Sequence, residues 1–587
     1  MKKYWILISV GVLAAAALLI LFPWIRGLLP VAGRGVVEVI SVPRALYREF
    51  SLDELIPDRT GLMIRVRSAE YIWGRLVREL SASPLWREER IEERLEAARK
   101  NFEARSGFGI DRSRIMEVAG QDLALAVVPS GGVSPEAVLL LSRLGTRARL
   151  MEIFLRLGDT LKEEGRRLFQ EEVYRGEKIV TVETGDDFPV PVAYCLLDGY
   201  LAAAVSDNPA SLLREVIDLS RGEGDALAAS RDFTAALDAT GFSPSTLLEC
   251  YLRPEGYPSG LGDYLPPGDF AEAAVWAEVA VQSLETCRAI GFRAGYREGA
   301  RTRLRVVLKG EDRSPTPDPV PGDRVSLPGG KMLYGFIAAD PSPAVESLAG
   351  LLAALGFGVG DDTFPGLAGW EQESGLSLRR DILPVLGHRS GLVLGGLTGG
   401  EFLPVPPFAL VSSVTDRAAA AAVMNSIVSW TVLDRGHRPV RETYNGVELT
   451  FFPGLLFHEP GYALSDNELA IAGSREMLKS VVDLWARPGA AVENEPLFAR
   501  ATAEFDPAAA LTVYLDGKIL LDSFRAAADW YFAYQRLDAG EPVVPESIYR
   551  EKIAPLLDLL RIVRSASATL GREKNIVKQD CFLYIPE

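Results

Sequence analysis

Two kinds of hydrophobic pattern alternate along most of the chain. Short apolar runs bounded by turn residues predict strands, and stretches with an apolar residue every three or four positions predict helices. The clearest strand-like runs are 123–128, 137–141, 178–182, 192–197 and 200–205. Their short connections leave room only for hairpins, which join antiparallel strands. The pattern therefore predicts an α+β fold, a mostly antiparallel sheet with helices packed on it.

One phrase of this pattern occurs twice. "LAAAVSDNPASLLREVIDL" begins at Leu201, and "LAIAGSREMLKSVVDL" begins at Leu469. Several further segments repeat at a separation of about 270 residues: Tyr174-Arg-Gly176 with Tyr444-Asn-Gly446, Tyr194 with Tyr462, Phe233 with Phe498, and 247–252 with 510–515. Units of this length indicate a tandem duplication of one domain rather than a solenoid, whose repeats span roughly 20–50 residues.

The duplication sets the predicted domain boundaries. We expect two homologous α+β repeats, at 56–311 and 327–587. Between them, residues 312–326 are rich in proline and charge and lack hydrophobic periodicity, which is typical of a linker.

The first thirty residues predict a membrane anchor. Lys2 and Lys3 precede an uncharged run from Tyr4 to Phe22, with Trp24 just beyond it. At about 1.5 Å per residue this run nearly spans a hydrocarbon core of roughly 30 Å, and the flanking aromatics suit the interface. We interpret 1–30 as a signal anchor and 31–55 as a juxtamembrane segment. The alternative is a cleaved secretory signal with a site near Ala32; its apolar region is unusually long for that.

The charge pattern restricts location and partners. The two N-terminal lysines favour a cytoplasmic N-terminus, which places the bulk of the chain outside the bacterial cytoplasmic membrane. The chain carries 63 Lys plus Arg against 79 Asp plus Glu, a formal charge of -16. Such a surface repels phosphate backbones, so nucleic acid is excluded as a partner. The expected partners are the membrane itself and an envelope protein or lipid.

The four cysteines raise the question of disulfides in an exported protein. In the repeat alignment each cysteine faces a small apolar residue: Cys195 faces Ala463, Cys250 faces Val513, Cys287 faces Val563 and Cys581 faces Val306. This substitution pattern favours buried free thiols. A bridge between Cys250 and Cys287 is the alternative.

No segment combines the residues of a recognised catalytic or metal motif. His388, His437 and His458 are the only histidines, and "FHEPG" at His458 lacks the second histidine of a zincin. The glycines of 355–362 lack the Lys-Ser/Thr of a phosphate loop. The acidic pairs Asp186-Asp187 and Asp361-Asp362 suit solvated turns better than calcium loops. We therefore predict no catalytic, cofactor-binding or metal residue, no cofactor, and no enzymatic activity.

Polar residues that occur in both repeats are the remaining candidates for function. They are Arg112 with Arg380, Ser206 with Ser474, Asp218 with Asp483, and Tyr174 with Tyr444. Their positions suggest structural roles: helix starts for the serines, surface pairing for the aspartates, and a strand followed by a turn for the tyrosines.

The chain resembles a group of bacterial exported proteins that are classified as a domain of unknown function. The resemblance lies in the N-terminal membrane segment, in "IPDRTGLMIRV" and "YRGEKIVTV", and in the phrase that occurs twice. The resemblance implies a membrane-anchored α+β ectodomain and no catalytic residues. We expect an extracytoplasmic binding or scaffold protein of the bacterial envelope. The alternatives are a carrier of lipid or another apolar ligand and, third, an envelope hydrolase.

Overall fold

The computed structural model describes 51–67, 122–130, 135–143, 168–183, 191–197, 199–237, 246–256, 286–296, 299–309, 324–338, 367–397, 405–435, 438–453, 459–503, 509–537, 546–554, 557, 561, 563–573 and 575–585. These residues fall into two compact units. The N-terminal unit contains the described residues up to Tyr296 and Thr302–Lys309, and the C-terminal unit contains Gly299–Arg301 and the described residues from Arg324 onward. Val325 and Leu327 are already part of the C-terminal core.

The N-terminal unit is built on one sheet. Its strands are β1 Leu62–Arg67, β2 Asp122–Pro129, β3 Pro135–Arg143, β4 Leu168–Tyr174, β5 Glu177–Glu183, β6 Val192–Leu197, β7 Tyr200–Ser206, β8 Thr246–Leu252, β9 Cys287–Tyr296 and β10 Gly299–Leu308. They lie in the order β4-β5-β6-β7-β3-β2-β1-β8-β9-β10. Pairing from β4 through β9 is antiparallel throughout.

The C-terminal unit repeats this arrangement strand by strand. Its strands are β11 Leu333–Ala338, β12 Leu386–Leu394, β13 Phe408–Val414, β14 Val440–Tyr444, β15 Val447–Phe451, β16 Gly461–Leu464, β17 Glu468–Ala472, β18 Leu511–Asp516, β19 Ser565–Glu573 and β20 Ile576–Tyr584. Their order is β14-β15-β16-β17-β13-β12-β11-β18-β19-β20, all antiparallel. The predicted α+β class with a mostly antiparallel sheet is confirmed.

Helices connect and cover the strands. The described helices are α1 Pro209–Ser220, α2 Arg231–Leu237, α3 Leu367–Ser374, α4 Arg417–Arg435, α5 Arg475–Ala486, α6 Pro496–Thr502, α7 Gly517–Leu537 and α8 Glu546–Ile548. Short 3₁₀ turns occupy Leu52–Glu54, Leu227–Ala229, Pro254–Gly256, Leu383–Val385, Pro488–Ala490 and Val492–Asn494, and π-type turns occupy Leu378–Ile382 and Tyr549–Ile553.

Helices α1 and α5 occupy equivalent places after β7 and β17. Each presents one apolar stripe to its sheet; the buried residues are Leu212, Leu213, Val216, Ile217 and Leu219 in α1 and Met477, Leu478, Val481, Val482 and Leu484 in α5. Asn208 caps α1 by accepting a hydrogen bond from the Ser211 amide, and Ser474 caps α5 by accepting one from the Met477 amide. The prediction that Ser206 starts a helix is wrong. Ser206 is the last residue of β7.

A two-residue turn closes the hairpin β4–β5 and its counterpart β14–β15. Arg175 and Gly176 have φ of 51° and 91°, and Asn445 and Gly446 have 49° and 81°. Positive φ at both central residues is the geometry of a type I′ turn, which fits the twist of a hairpin. The predicted combination of a tyrosine, a strand end and a turn is therefore confirmed at both places.

An edge-to-face aromatic pair anchors the second helix of each unit. Phe233 on α2 meets Tyr251 of β8 at 5.1 Å between ring centroids and 67°. Phe498 on α6 meets Tyr514 of β18 at the same distance and angle. All four rings are buried, so the repeated sequence positions correspond to the same packing contact.

Several predictions concern residues outside the described part of the chain. These are the anchor Tyr4–Phe22 with the flanking 1–50, the acidic pairs at 186–187 and 361–362, the glycine-rich 355–362, Arg112, His437 and His458. Within the described ranges, no helix combines the length and apolar character needed to cross a membrane.

Candidate binding cleft in the N-terminal unit

Two of the polar residues shared by the repeats, a tyrosine and an aspartate, meet at one place in each unit. The hydroxyl of Tyr174, at the end of β4, lies 3.2 Å from both carboxylate oxygens of Asp218 on α1. In the C-terminal unit the hydroxyl of Tyr444 lies 3.0 Å from Oδ1 of Asp483 on α5. The hydrogen bond to Asp483 raises the pKa of Tyr444. Each hairpin is thus bound to the helix that follows it.

The turn residues strengthen this contact in different ways. Arg175 Nε lies 3.1 Å from Asp218 Oδ1, while Asn445 Nδ2 donates to Asp483 Oδ1 at 2.7 Å. A cation in one unit and an amide in the other serve the same carboxylate. The predicted surface pairing of the two aspartates is therefore confirmed.

A second ion pair joins the same hairpin and helix one turn further up. Arg214 of α1 donates to both oxygens of Glu172, at 2.9 and 2.6 Å. Lys479 of α5 lies 2.8 Å from Glu442 in the same position. The hydrogen bond from Arg214 lowers the pKa of Glu172, which keeps this carboxylate ionised at neutral pH.

Beyond this pair the N-terminal unit opens into a polar cleft of about 630 Å³. The described lining residues are Gln170, Glu171, Glu172, Thr181, Pro191, Asp207, Asn208, Pro209, Ala210 and Arg214. They come from the hairpin β4–β5, the start of β6 and the first turns of α1. The volume is within the range of small-ligand sites, roughly 300–1,000 Å³.

Strand register identifies the equivalent residues of the C-terminal unit. Thr181 on β5 lies opposite Ala193 on β6. In the equivalent strand pair of the C-terminal unit, Phe451 on β15 lies opposite Gly461 on β16, so Thr181 corresponds to Phe451. The Tyr–Asp contacts align α1 with α5, and Ala210 then corresponds to Arg475. Two small side chains on the wall of the cleft thus stand where the C-terminal unit has two of its larger ones.

In the C-terminal unit these larger side chains occupy the corresponding space. The guanidinium of Arg475 lies 4.8 Å from the centroid of the buried Phe451 ring. A Cβ at Gly461 would come within 2.5 Å of that ring, so the glycine makes room for it. The same position therefore carries two small side chains beside a cleft in one unit, and an aromatic ring packed against a guanidinium in the other.

A buried charge network distinguishes the two units further. Arg65 in β1 is 5% exposed. Its guanidinium donates to Asp122 at 2.9 and 2.5 Å and to Asp53 at 2.8 Å, and it lies 3.7 Å from Glu249. Burial disfavours the charge on Arg65, but the hydrogen bond to Asp122 and the surrounding carboxylates outweigh burial and raise the pKa of Arg65. Glu249 also binds Arg67 and Arg293, at 3.0 and 2.9 Å.

The sequence did not reveal this network. In β1, Arg65 and Arg67 alternate with apolar residues, and this alternation is typical of a strand whose arginines face solvent. The structure instead places the buried Met63 on the same face as Arg65. The carboxylates that bind Arg65 and Arg67 come from segments that lie far away in the sequence, and no local pattern connects those segments.

All four cysteines are free thiols, and Cys195, Cys250 and Cys287 are buried, as the repeat alignment predicted; no bridge joins Cys250 to Cys287. Burial, with a smaller contribution from a nearby glutamate, raises the pKa of Cys195 to about 12 and that of Cys250 to about 12. These two thiols are therefore poor nucleophiles in the folded protein.

This burial predicts the order of thiol alkylation. With a pKa of about 12, about one molecule in ten thousand carries a thiolate at pH 8. We expect iodoacetamide to modify Cys581, which is only partly buried, well before Cys195 and Cys250, as followed by mass spectrometry of peptides. In urea all four should react alike. Equal rates in the folded protein would contradict the buried positions.

The other predicted candidates do not converge on the cleft. His388 lies exposed on β12. Arg380 sits in the turn Leu378–Ile382 and pairs with its neighbour Asp381 at 3.1 Å. Among the described residues, no three His, Cys, Asp or Glu side chains are grouped so that they could hold a metal ion.

Comparison with known proteins gives no functional assignment. No family model matches the chain, and no curated protein matches it. A solved structure, crystal form I of TP0453, is 9% identical and covers 45% of this chain and 82% of that chain, with a TM-score of 0.23. A likeness at that level carries no argument about either fold or function.

Proposed function

We propose that this chain is a membrane-anchored, extracytoplasmic binding protein of the bacterial envelope, made of two α+β domains that arose by duplication. The shared strand order and the repeated Tyr–Asp contact support the duplication. The apolar run Tyr4–Phe22 behind two lysines supports the anchor and the export of the rest of the chain. The resemblance to exported proteins of unknown function is part of the same proposal.

The observation that carries a binding role is the difference between the two units at one position. After a duplication both copies begin alike, so a cleft that is open in one and closed by Phe451 and Arg475 in the other indicates that one copy has specialised. The ion pair with Arg214 keeps Glu172 ionised, so this carboxylate is suited to bind rather than to exchange protons near pH 7. Binding without catalysis is the function that this geometry supports best.

Native mass spectrometry of the full-length chain, extracted in mild detergent from its own envelope, tests this function. We expect a reproducible bound mass on the wild-type protein and its loss from an Ala210→Arg variant, because the longer side chain fills the cleft as Arg475 does. Ser211→Arg, which adds the same charge at an exposed neighbouring position outside the lining, should keep the ligand. A bare wild-type chain under conditions that preserve other envelope complexes would argue against the proposal.

A different surface, which is apolar, supports the alternative that the protein carries a lipid. Leu392 and Leu410 face each other across β12 and β13, and each is 38% exposed. A bound mass in the lipid range that persists in Ala210→Arg but is lost on Leu410→Glu would support the carrier and move the binding site away from the cleft.

The location can be tested separately. We expect protease added to intact spheroplasts to degrade the chain down to a short N-terminal fragment that contains Tyr4–Phe22. Full protection of the chain, with a periplasmic control protein degraded in the same sample, would contradict the extracytoplasmic placement.

A further inference from the structure

The turn between β14 and β15 contains the dipeptide Asn445-Gly446. An asparagine followed by a glycine is prone to deamidation, because glycine has no side chain that hinders attack by its own nitrogen. Both residues are exposed, so water reaches them. The equivalent turn of the N-terminal unit carries Arg175-Gly176. Arg175 has no side-chain amide and cannot react in this way.

Deamidation begins when the backbone nitrogen of Gly446 attacks Cγ of Asn445. A bond forms between these two atoms, the Gly446 nitrogen loses its proton, and the side-chain amide takes up a proton and leaves as ammonia. The product is a five-membered succinimide ring. Water then adds to one of the two ring carbonyl carbons and breaks its bond to the ring nitrogen, which leaves aspartate or isoaspartate at position 445. Water is the co-reactant, and nothing is oxidised or reduced.

The backbone of the turn holds the two reacting atoms apart. Asn445 and Gly446 have φ of 49° and 81°. In such a type I′ turn ψ of the first central residue is about +30°. With this ψ the Gly446 nitrogen points away from Cβ of Asn445, whereas the ring needs both atoms on the same side of the Cα–C bond. Ring closure therefore requires the turn to open.

The side chain of Asn445 is held in place as well. Its Nδ2 donates to Oδ1 of Asp483 on α5 at 2.7 Å, and a hydrogen bond to an ionised carboxylate is a strong one. The hydroxyl of Tyr444 lies 3.0 Å from the same oxygen, so the strand end and the turn are bound to α5 together. Turning the side chain of Asn445 toward the Gly446 nitrogen costs the bond to Asp483.

We propose that Asn445-Gly446 is a deamidation site whose reaction is gated by the contact between the β14–β15 hairpin and α5. While the hairpin is closed, the turn and Asp483 keep the reacting atoms apart, and the dipeptide reacts when the hairpin opens. The product carries a carboxylate where Nδ2 was a donor, and it meets the negative charge of Asp483. A hairpin that has reacted cannot remake this hydrogen bond, so the modification is a lasting record of opening. The site is independent of the proposed binding function.

Incubation of the full-length protein in detergent at neutral pH, followed by mass spectrometry of peptides, tests the gating. Digestion with pepsin at acid pH limits further reaction during preparation. We expect deamidation of Asn445 to be at least about tenfold slower in the folded protein than in urea, because local opening costs free energy. Equal rates in the two conditions would overturn the proposal that the fold gates the reaction.

Two aspartate variants test the role of the contact with α5. Asp483→Ala should raise the rate in the folded protein at least about threefold, since it removes a hydrogen bond to a charged group at the surface. Asp522→Ala is the matched control, because Asp522 lies on α7 with a side chain 52% exposed. We expect it to leave the rate within about twofold. Equal rates in the two variants would overturn the role of Asp483.

The N-terminal unit gives a second test that does not depend on how Asp483→Ala folds. Arg175→Asn places the same dipeptide in the equivalent turn, beside Asp218, which binds the hydroxyl of Tyr174. We expect position 175 to react as slowly as Asn445, and adding Asp218→Ala to accelerate it at least about threefold. Rapid reaction at position 175 with Asp218 in place would overturn the protective role of this contact.

Asn445→Asp reproduces one product directly. We expect it to lower the melting temperature more than Asn445→Gly, which removes the same donor, tolerates the positive φ and adds no charge. Lys479, whose Nζ lies 5.0 Å from the centroid of the Tyr444 ring, is already paired with Glu442. Raised salt should narrow the difference between the two variants, because it screens exposed charges. Equal melting temperatures would overturn the claim that the product disfavours the contact.

Discussion

Replacing Phe498 with alanine is expected to lower the free energy of unfolding by about 3–5 kcal/mol, the usual cost of removing a buried aromatic side chain. Phe498 is 2% exposed. Its ring lies 5.1, 5.7 and 6.4 Å from the ring centroids of Tyr514, Phe336 and Tyr334. Close packing of these rings means that the surroundings cannot collapse fully into the vacated space. Urea denaturation followed by circular dichroism measures the loss.

A phenylalanine of the same unit provides the matched control. Phe524 on α7 is 53% exposed, so Phe524→Ala removes the same atoms from a site that buries little of them. We expect its effect to stay within about 0.5 kcal/mol. Equal losses for the two variants would mean that α6 is not held on the sheet by this aromatic cluster.

The general architecture could be predicted from the sequence because each signal is local. Alternation identified the strands 192–197 and 200–205 within one residue of their ends, and the repeated phrase identified α1 and α5. The turn at Tyr174-Arg-Gly176 was recognisable because a glycine is favoured where φ is positive. The wrong helix start at Ser206 arose from competing caps, since the sequence offers Ser206, Asp207 and Asn208 in succession.

The candidate site was only partly predictable. Comparison of the repeats identified Tyr174 and Asp218 as shared, but they lie far apart in sequence, and only the fold shows that they touch each other. The cleft depends on small residues, Thr181 and Ala210, which carry no chemical signal of their own. They become informative only when the register assigns Phe451 and Arg475 as their counterparts. A cavity forms where small residues leave space unfilled, and a hydrophobic pattern along the sequence does not show where that happens.

The two units also differ in the side chains at one position, which lies on β1 in the N-terminal unit and on the equivalent strand β11 in the C-terminal unit. Where the N-terminal unit has Arg65 paired opposite Glu249, the C-terminal unit has Phe336 opposite Thr512. Asp53 stands four residues before the bridge at Pro57, and Arg324 four before the bridge at Pro328. Arg324 donates to Thr512 at 3.1 Å and lies 5.6 Å from the centroid of the Phe336 ring. The cation has changed places between the units, and its new partners are an aromatic ring and a hydroxyl.

Arg65→Phe alone is expected to lower the free energy of unfolding by about 3–5 kcal/mol, because removing one partner of a buried ion pair leaves Asp53 and Asp122 uncompensated. The side chains of Asp53 and Asp122 are only 19% and 15% exposed, so water cannot replace the lost guanidinium. Arg59→Phe is the matched control. Arg59 is 44% exposed and pairs with Glu136 and Glu215 at the surface, where the loss should be about 1 kcal/mol or less.

The triple variant Asp53→Arg, Arg65→Phe, Glu249→Thr transfers the C-terminal arrangement into the N-terminal unit. It removes Asp53, one of the two carboxylates that Arg65→Phe leaves uncompensated, and supplies a cation that can reach Asp122 and the new ring. We expect it to recover about half or more of the stability lost in Arg65→Phe, as coupled residues of one network do in multiple-mutant cycles. Urea denaturation of the three single variants, the triple variant and the wild-type protein measures the coupling between the three positions. If the three losses simply added, the buried charges would not act as one network, and the two units would not be interchangeable solutions of the same fold.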